Sequence, residues 1–219
     1  MNETDFLTHL KDFATTFGEL IGTLLIGVVI GVIGAIRKRK LSIQTKNKQN
    51  KVFADQHSRI HEMLTELRLV VRASRCLIFQ FHNGGAFADG TSIKRFSVTH
   101  ESSDSTVSSI LLESQDNLLT RYMDLVRVLE ESHGKILAVS SLPPSAFRSC
   151  LEINNVQYFS ISPLKCVDGL TPLGFLCCQW CSADQLDQIE TEGVSENALE
   201  QIISESVSHI NSHLASKSR

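Results

Sequence analysis

Apolar residues follow three different periods along this chain. Leu20 to Ile36 reads LIGTLLIGVVIGVIGAI, an unbroken apolar run with no charge and no proline. At 1.5 Å rise per residue, its roughly 17 residues span about 25 Å. Phe17 and Gly18 extend the run toward the thickness of a hydrocarbon core and leave Glu19 at the outer interface. The pattern predicts one transmembrane helix over 17–36, because a soluble helix of that length would carry a polar stripe. From Val52 the period becomes that of an amphipathic helix. Phe53, Ile60 and Leu67 are spaced by seven, with Met63, Leu64, Val70 and Val71 beside them, which predicts a helix over Val52–Val71 with heptad character.

The third period is that of strands. Arg75–Phe81 (RCLIFQF) is strand-like and stops at His82-Asn83-Gly84-Gly85, a turn signal. Ser92–Glu101 alternates and predicts a second strand. A helix is expected from about Ile110 to Glu131, with Leu118, Leu119, Tyr122, Leu125, Val126 and Leu129 on its apolar side. A short strand over Lys135–Val139 ends before Pro143-Pro144. Ser145 is placed to cap a short helix ending near Ile153, and Asn154-Asn155 makes a turn. Val156–Leu164 and Leu173–Cys181 read as strands joined by a loop, and Glu196–Leu214 as a final amphipathic helix. Antiparallel strands interrupted by helices indicate an α+β fold, one antiparallel sheet covered by helices and preceded by one transmembrane helix.

Charge gives the expected direction of the anchor. The first 19 residues hold Glu3, Asp5, Asp12 and Glu19 against Lys11, whereas the apolar run is followed by Arg37-Lys38-Arg39-Lys40. The positive-inside rule then places the N-terminus outside and the C-terminal domain in the cytoplasm, in an inner (cytoplasmic) membrane. A cleaved signal peptide would have the opposite arrangement of charges. The expected organisation is a short extracytoplasmic segment at 1–16, the membrane helix at 17–36, a basic juxtamembrane linker or solvated helix at 37–50, and a soluble domain at 51–215. Thr23, Gly27, Gly31 and Ala35 recur every four residues along one stripe. Gly27-x-x-x-Gly31 is a pattern that lets two membrane helices approach closely, though glycine is common in such helices.

The 219 residues carry 21 basic and 24 acidic side chains. Because the basic residues concentrate at 37–51, the soluble part is net acidic, which argues against nucleic acid as a partner. The six cysteines of a cytoplasmic domain are read as reduced, buried, small hydrophobes. Cys178 and Cys181 have zinc-knuckle spacing but lie in a strand run without a second pair. On that strand Cys177 and Cys181 face one way, Cys178 and Trp180 the other. His57 and His61, at i and i+4, have a spacing that binds zinc, but no acid or cysteine pair joins them, so a solvated face is expected. No nucleophile elbow or phosphate loop is present, and no catalytic or metal site is expected.

The soluble part resembles a GAF domain, the sensory fold related to PAS. The run Asn155–Leu164, ending in Pro163-Leu164, looks like a GAF strand, and Gly174-Phe175-Leu176-Cys177-Cys178 is similar to the strand that follows it. Arg72–Phe79 is similar to the helix-to-first-strand junction. Phe81-His82-Asn83-Gly84-Gly85 also looks like a stretch of small membrane-anchored GAF-like proteins of bacteria and their phages. The resemblance implies a fold that binds a small molecule or a partner, without naming the ligand or any cofactor. The cyclic-nucleotide motif of that family is not matched, and no cysteine stands in the helical context expected for bilin attachment.

The polar residues expected to cluster are His82, Asn83, Asp89, His100 and Glu101, with Gly84 and Gly85 opening a loop whose N–H groups suit an anion. The competing reading is a hairpin connection whose Asn and Gly satisfy turn geometry. The expected function is a membrane-tethered sensory or ligand-binding module. It would dimerise through its membrane helix and the helices flanking the domain, and would signal to a separate protein, since no output domain follows the last helix. The alternative is an interaction platform in a membrane-associated assembly, including a phage-encoded one.

Overall fold

The computed structural model describes residues 38–41, 45–46, 48–86, 90, 92–132, 134–165 and 172–215. The chain divides into two compact units, Met1–Asp55 and Gln56–Arg219. In the first, the described residues are helical and exposed. The segment 17–36, with Thr23, Gly27, Gly31 and Ala35, lies outside the described residues. Among the described residues, no helix is long and apolar enough to cross a membrane.

The second unit is built on one sheet. Its strands are β1 (Arg75–Ala86), β2 (Ser92–Ser103), β3 (Asn117–Leu118), β4 (Ile136–Ala138), β5 (Tyr158–Lys165) and β6 (Pro172–Trp180), in the spatial order β3-β2-β1-β6-β5-β4 with antiparallel pairing throughout. Both faces are covered. Helices α1 (residues 56–70), α4 (Asp184–Thr191) and α5 (Glu196–Ala215) pack on one face, where Ile60, Leu64, Leu67, Leu199, Ile203 and Ile210 meet Cys76, Ile78, Cys178 and Trp180. Helices α2 (Met123–Glu131) and α3 (Ala146–Ile153) cover the other, where Leu125, Val128, Phe147 and Leu151 meet Leu77, Phe79, Phe159, Phe175 and Cys177. This explains why β1 and β6 read as nearly continuous apolar runs: successive side chains enter opposite cores. Cys177 and Cys178 fall in the two different cores, as the alternation predicts.

Local chemistry sets several boundaries. Arg72 takes a left-handed conformation (φ 49°), and the Ala73 N–H donates to the Arg68 carbonyl, a Schellman-type stop for α1. The Ser145 hydroxyl accepts from the Arg148 N–H at 3.2 Å and caps α3, as the sequence indicates. Trp180, fully buried, donates its indole N–H to the Val71 carbonyl at 3.0 Å, which ties β6 to the end of α1.

Two expectations need correction, and one helix is new. The helix expected over 110–131 is only α2. Upstream of it, Val98 donates to the Ser114 carbonyl at 3.0 Å and Asp116 has a positive φ (57°), so pairing with β2 displaces helix. The turn expected at His82–Gly85 is instead strand, because Asn83 pairs with Lys94 and Ala86 with Ser92, moving the reversal beyond Ala86. Finally, α4 was not foreseen, since its sequence DQLDQIET buries only Ile189 and gives little periodic signal.

Candidate functional site

Phe79, Phe96 and Phe175 stand on three adjacent strands and face α2 and α3. The Phe79 and Phe175 rings stack at 4.5 Å, Phe96 meets both at 5.8 and 5.7 Å, and Tyr122 closes on Phe96 edge-on at 5.3 Å. This cluster divides the face into two spaces. On one side is a cavity of about 170 Å³, walled also by Ile110, Leu125, Phe147, Cys150, Leu151 and Asn154. On the other is a more open apolar groove of about 460 Å³, between Phe81, Leu119, Val126, Leu129, Pro163 and Pro172, with Lys94, Lys165 and Glu130 along it.

The smaller cavity, the chamber, has one polar end. Gln179, only 4% exposed, lines it, and its Oε1 meets no protein donor. Directly across the β1–β6 ladder is Arg75, 2% exposed. Its guanidinium donates to the carbonyls of Ser108 (3.1 Å) and Asn154 (2.7 Å) and to Cys181 Sγ (3.4 Å), while its Nε–H meets no acceptor. Taking an ion out of water costs on the order of several kcal/mol unless charge or hydrogen bonds offset it. Burial pushes the Cys150 thiol up, opposed by the guanidinia of Arg121 and Arg75, and pushes the Cys177 thiol up further. Thiol chemistry at this site therefore has little thiolate to work with.

No protein-family model matches the chain, and no curated protein matches it. Solved structures do. A far-red cyanobacteriochrome photoreceptor superposes with a TM-score of 0.54 at 14% identity, over 83% of this chain and 98% of that one. The blue-light-absorbing form of the Thermosynechococcus elongatus PixJ GAF domain gives 0.48 at 12% identity, over 74% and 88%. The phycocyanobilin-bound GAF domain of a cyanobacterial phytochrome gives 0.45 at 17%, over 73% and 93%. The superposition on the far-red cyanobacteriochrome photoreceptor shows that the fold is GAF-like.

Within this GAF-like domain the predicted polar residues do not converge. His82 is exposed on β1 and bonds Ser97 Oγ at 2.9 Å. The Asn83 side chain accepts from Lys94 Nζ at 3.1 Å, and Gly84 lies against the Arg95 side chain. Gly85 is an exposed strand residue with φ 108°, and Asp89 lies outside the described residues. Glu101 is on the chamber face: its carboxylate accepts from the Ser109 hydroxyl (2.7 Å) and the Ile110 N–H (3.2 Å), and so holds the Ile110 wall.

His100 points the other way, toward α1. A bulge at Thr99, between the pairs Ile78–His100 and Phe79–Val98, reverses the alternation and re-aims it. Its ring stacks on His57, with Nε2 2.7 Å from His57 Nδ1. The Thr99 hydroxyl donates to the Ile78 carbonyl (3.3 Å), so it accepts from His100 Nδ1–H (3.1 Å), and His100 Nε2 accepts from His57. Hence His57 is not on a solvated face. Burial, then His57 and His61, lower the His100 pKa from 6.5 to about 4.

Sequence reasoning missed Arg75 and Gln179. Both carried a signal, as polar residues inside otherwise apolar strand runs (RCLIF and LCCQWC) that pack on both faces.

Proposed function

We propose that this protein is a membrane-tethered sensory module that holds a small molecule in the chamber between the sheet and helices α2 and α3. The observation that carries the reading is a phenylalanine-walled cavity, partly open at the exposed Glu113, whose one deeply buried amide, Gln179, has an oxygen without a protein partner. A polar atom left unpaired in an apolar wall is costly, and a ligand donor removes that cost. An apolar cavity of about 150 Å³ accommodates benzene, so a chamber of about 170 Å³ fits a body of one ring. That a photoreceptor shares the fold supports a sensory role.

In this reading Leu20–Ile36 anchors the chain in an inner membrane with its N-terminus outside, and Arg37–Lys40 fixes that direction. The working form is a homodimer joined through Gly27 and Gly31 and through α1 and α5. Occupancy is passed to a separate protein, and no catalysis is involved. The test is native mass spectrometry of the full chain released from lipid nanodiscs, which reports ligand and oligomer together. A bound mass under 300 Da (on the order of one ring with substituents) on a dimer is expected. A chain that stays empty against a panel of single-ring compounds overturns the ligand-binding reading.

The open groove favours one alternative, an interaction platform of a membrane-associated assembly, whether bacterial or phage-encoded. There the chamber stays empty, and Val126→Glu in the groove, but no chamber substitution, abolishes co-purification of the partner.

A further inference from the structure

The open groove on the far side of the phenylalanine cluster offers a ligand hydrocarbon and charge, with nothing between. Its walls are the apolar side chains of Phe81, Leu119, Val126, Leu129, Pro163 and Pro172. Among the described residues that line it, every remaining side chain is an ion, Lys94, Lys165 or Glu130; none is a hydroxyl, an amide or an imidazole. A ring system studded with heteroatoms would leave its own polar groups unmet here, at a cost for each. A plain hydrocarbon body meets no such cost. The groove holds about 460 Å³. That is about three times the roughly 150 Å³ that accommodates a six-carbon ring, so it suits a body of about 18 carbons.

The charges give this body an end. Two lysines stand against one carboxylate, so the described lining is net positive. Among the described residues no lysine forms an ion pair. Lys94 and Lys165 stand on β2 and β5, with β1 and β6 between them. At about 4.8 Å per strand step, those two strands are about 14 Å apart across the sheet. The lysines thus mark opposite sides of the groove. The Lys94 ammonium is engaged by the Asn83 side chain at 3.1 Å. Lys165 is exposed, and its ammonium meets no acceptor among the described residues.

We propose that the groove binds a long-chain fatty acid, with the chain along the apolar walls and the carboxylate at the Lys165 ammonium. The site is separate from the chamber. It goes beyond the single-ring ligand proposed above and stands or falls without it.

The experiment is photolabelling of the full chain in lipid nanodiscs with octadecanoic acid and octadecanol, each carrying a diazirine in mid-chain, read by mass spectrometry of the peptides. The acid is expected to label the stretch Leu119–Glu130. Val126→Glu, which puts a charge on the apolar wall, and Val126→Trp, which fills the groove without one, should each remove that label. At equal concentration the acid should label about two- to fivefold more than the alcohol, the scale of an exposed ion pair. Lys165→Met should bring the acid down to the alcohol, Lys94→Met should leave most of the difference, and Glu130→Gln, which removes the one negative charge, should widen it. Equal labelling by acid and alcohol overturns the carboxylate assignment. Label in that stretch that never forms, or that persists in both Val126 variants, overturns the site. Loss of the difference in Lys94→Met but not in Lys165→Met overturns the placement of the head. The single-ring panel tests the chamber independently, so the failure of either reading is seen apart from the other.

Discussion

At the scale of single residues, the tightest constraint on the sheet is a hydrogen atom where other residues have a side chain. A Cβ on Gly174 would lie 1.8 Å from the Phe79 carbonyl oxygen and 2.8 Å from Gln80 Cα. Both are backbone atoms of β1 and cannot swing aside. Gly174→Ala therefore has to push β6 away from β1 in the middle of both cores. The expected loss is about 3 kcal/mol, the scale of a forced backbone shift in a packed interior. The measurement is the urea midpoint of unfolding, and an unchanged midpoint would contradict the close approach. The glycine's place at the head of a GAF-like strand was legible in the sequence; the reason for it was not, since that depends on which strand lies opposite.

At the scale of elements, the interface between α1 and β2 makes stability depend on pH. His100 is 7% exposed and neutral in the folded protein. Its neighbours oppose a second proton in the pair: a protonated Nε2 would point a donor at the His57 Nδ1–H. The unfolded chain takes up a proton near pH 6.5, whereas the folded chain holds it off until about pH 4. The unfolded state thus binds more protons between those values, and stability falls as pH drops through that window, by at most about 3 kcal/mol. Above pH 6.5 the contribution is complete and flat. Chemical denaturation from pH 7.5 to 4 should show the slope, and His100→Gln should flatten it; an equal slope in both would assign the loss to other groups. Alternation alone puts Val98 and His100 on one face, and only the bulge at Thr99 separates them. Such slips follow from strand register, which depends on partners far along the chain. The α3 helix, by contrast, was legible because its signal is local: Ser145 caps within three residues. The helix expected over 110–131 failed for the opposite reason. Its apolar spacing is sound, but the first half is claimed by hydrogen bonds to β2.

At the scale of the whole molecule, the chain combines a domain built around two cores with a segment whose composition, on the function proposed above, places it in a membrane. The domain's apolar side chains are matched across the sheet by α1, α4 and α5 on one side and α2 and α3 on the other. Nothing comparable in polarity accompanies Leu20–Ile36, where an uncharged run is followed at once by Arg37, Lys38, Arg39 and Lys40. Each Leu, Ile or Val at the centre of a membrane helix contributes roughly 0.5 kcal/mol toward insertion, so the run outweighs its glycines. In the proposed orientation the basic block stays on the cytoplasmic side and the first 19 residues lie outside. The cysteines offer a direct readout of the resulting orientation, because all of them lie at Cys76 or beyond. In intact cells an impermeant maleimide should leave the wild-type chain unlabelled until the cells are broken, with the buried Cys76, Cys177 and Cys178 labelled only once the protein is also unfolded. A Thr4→Cys variant should be labelled without breaking the cells. Labelling of Thr4→Cys only after lysis would reverse the orientation, and recovery of the chain in the soluble fraction would remove the anchor altogether. Either result would leave the cavity beneath α2 and α3 untouched, since it is built from residues of the second unit alone.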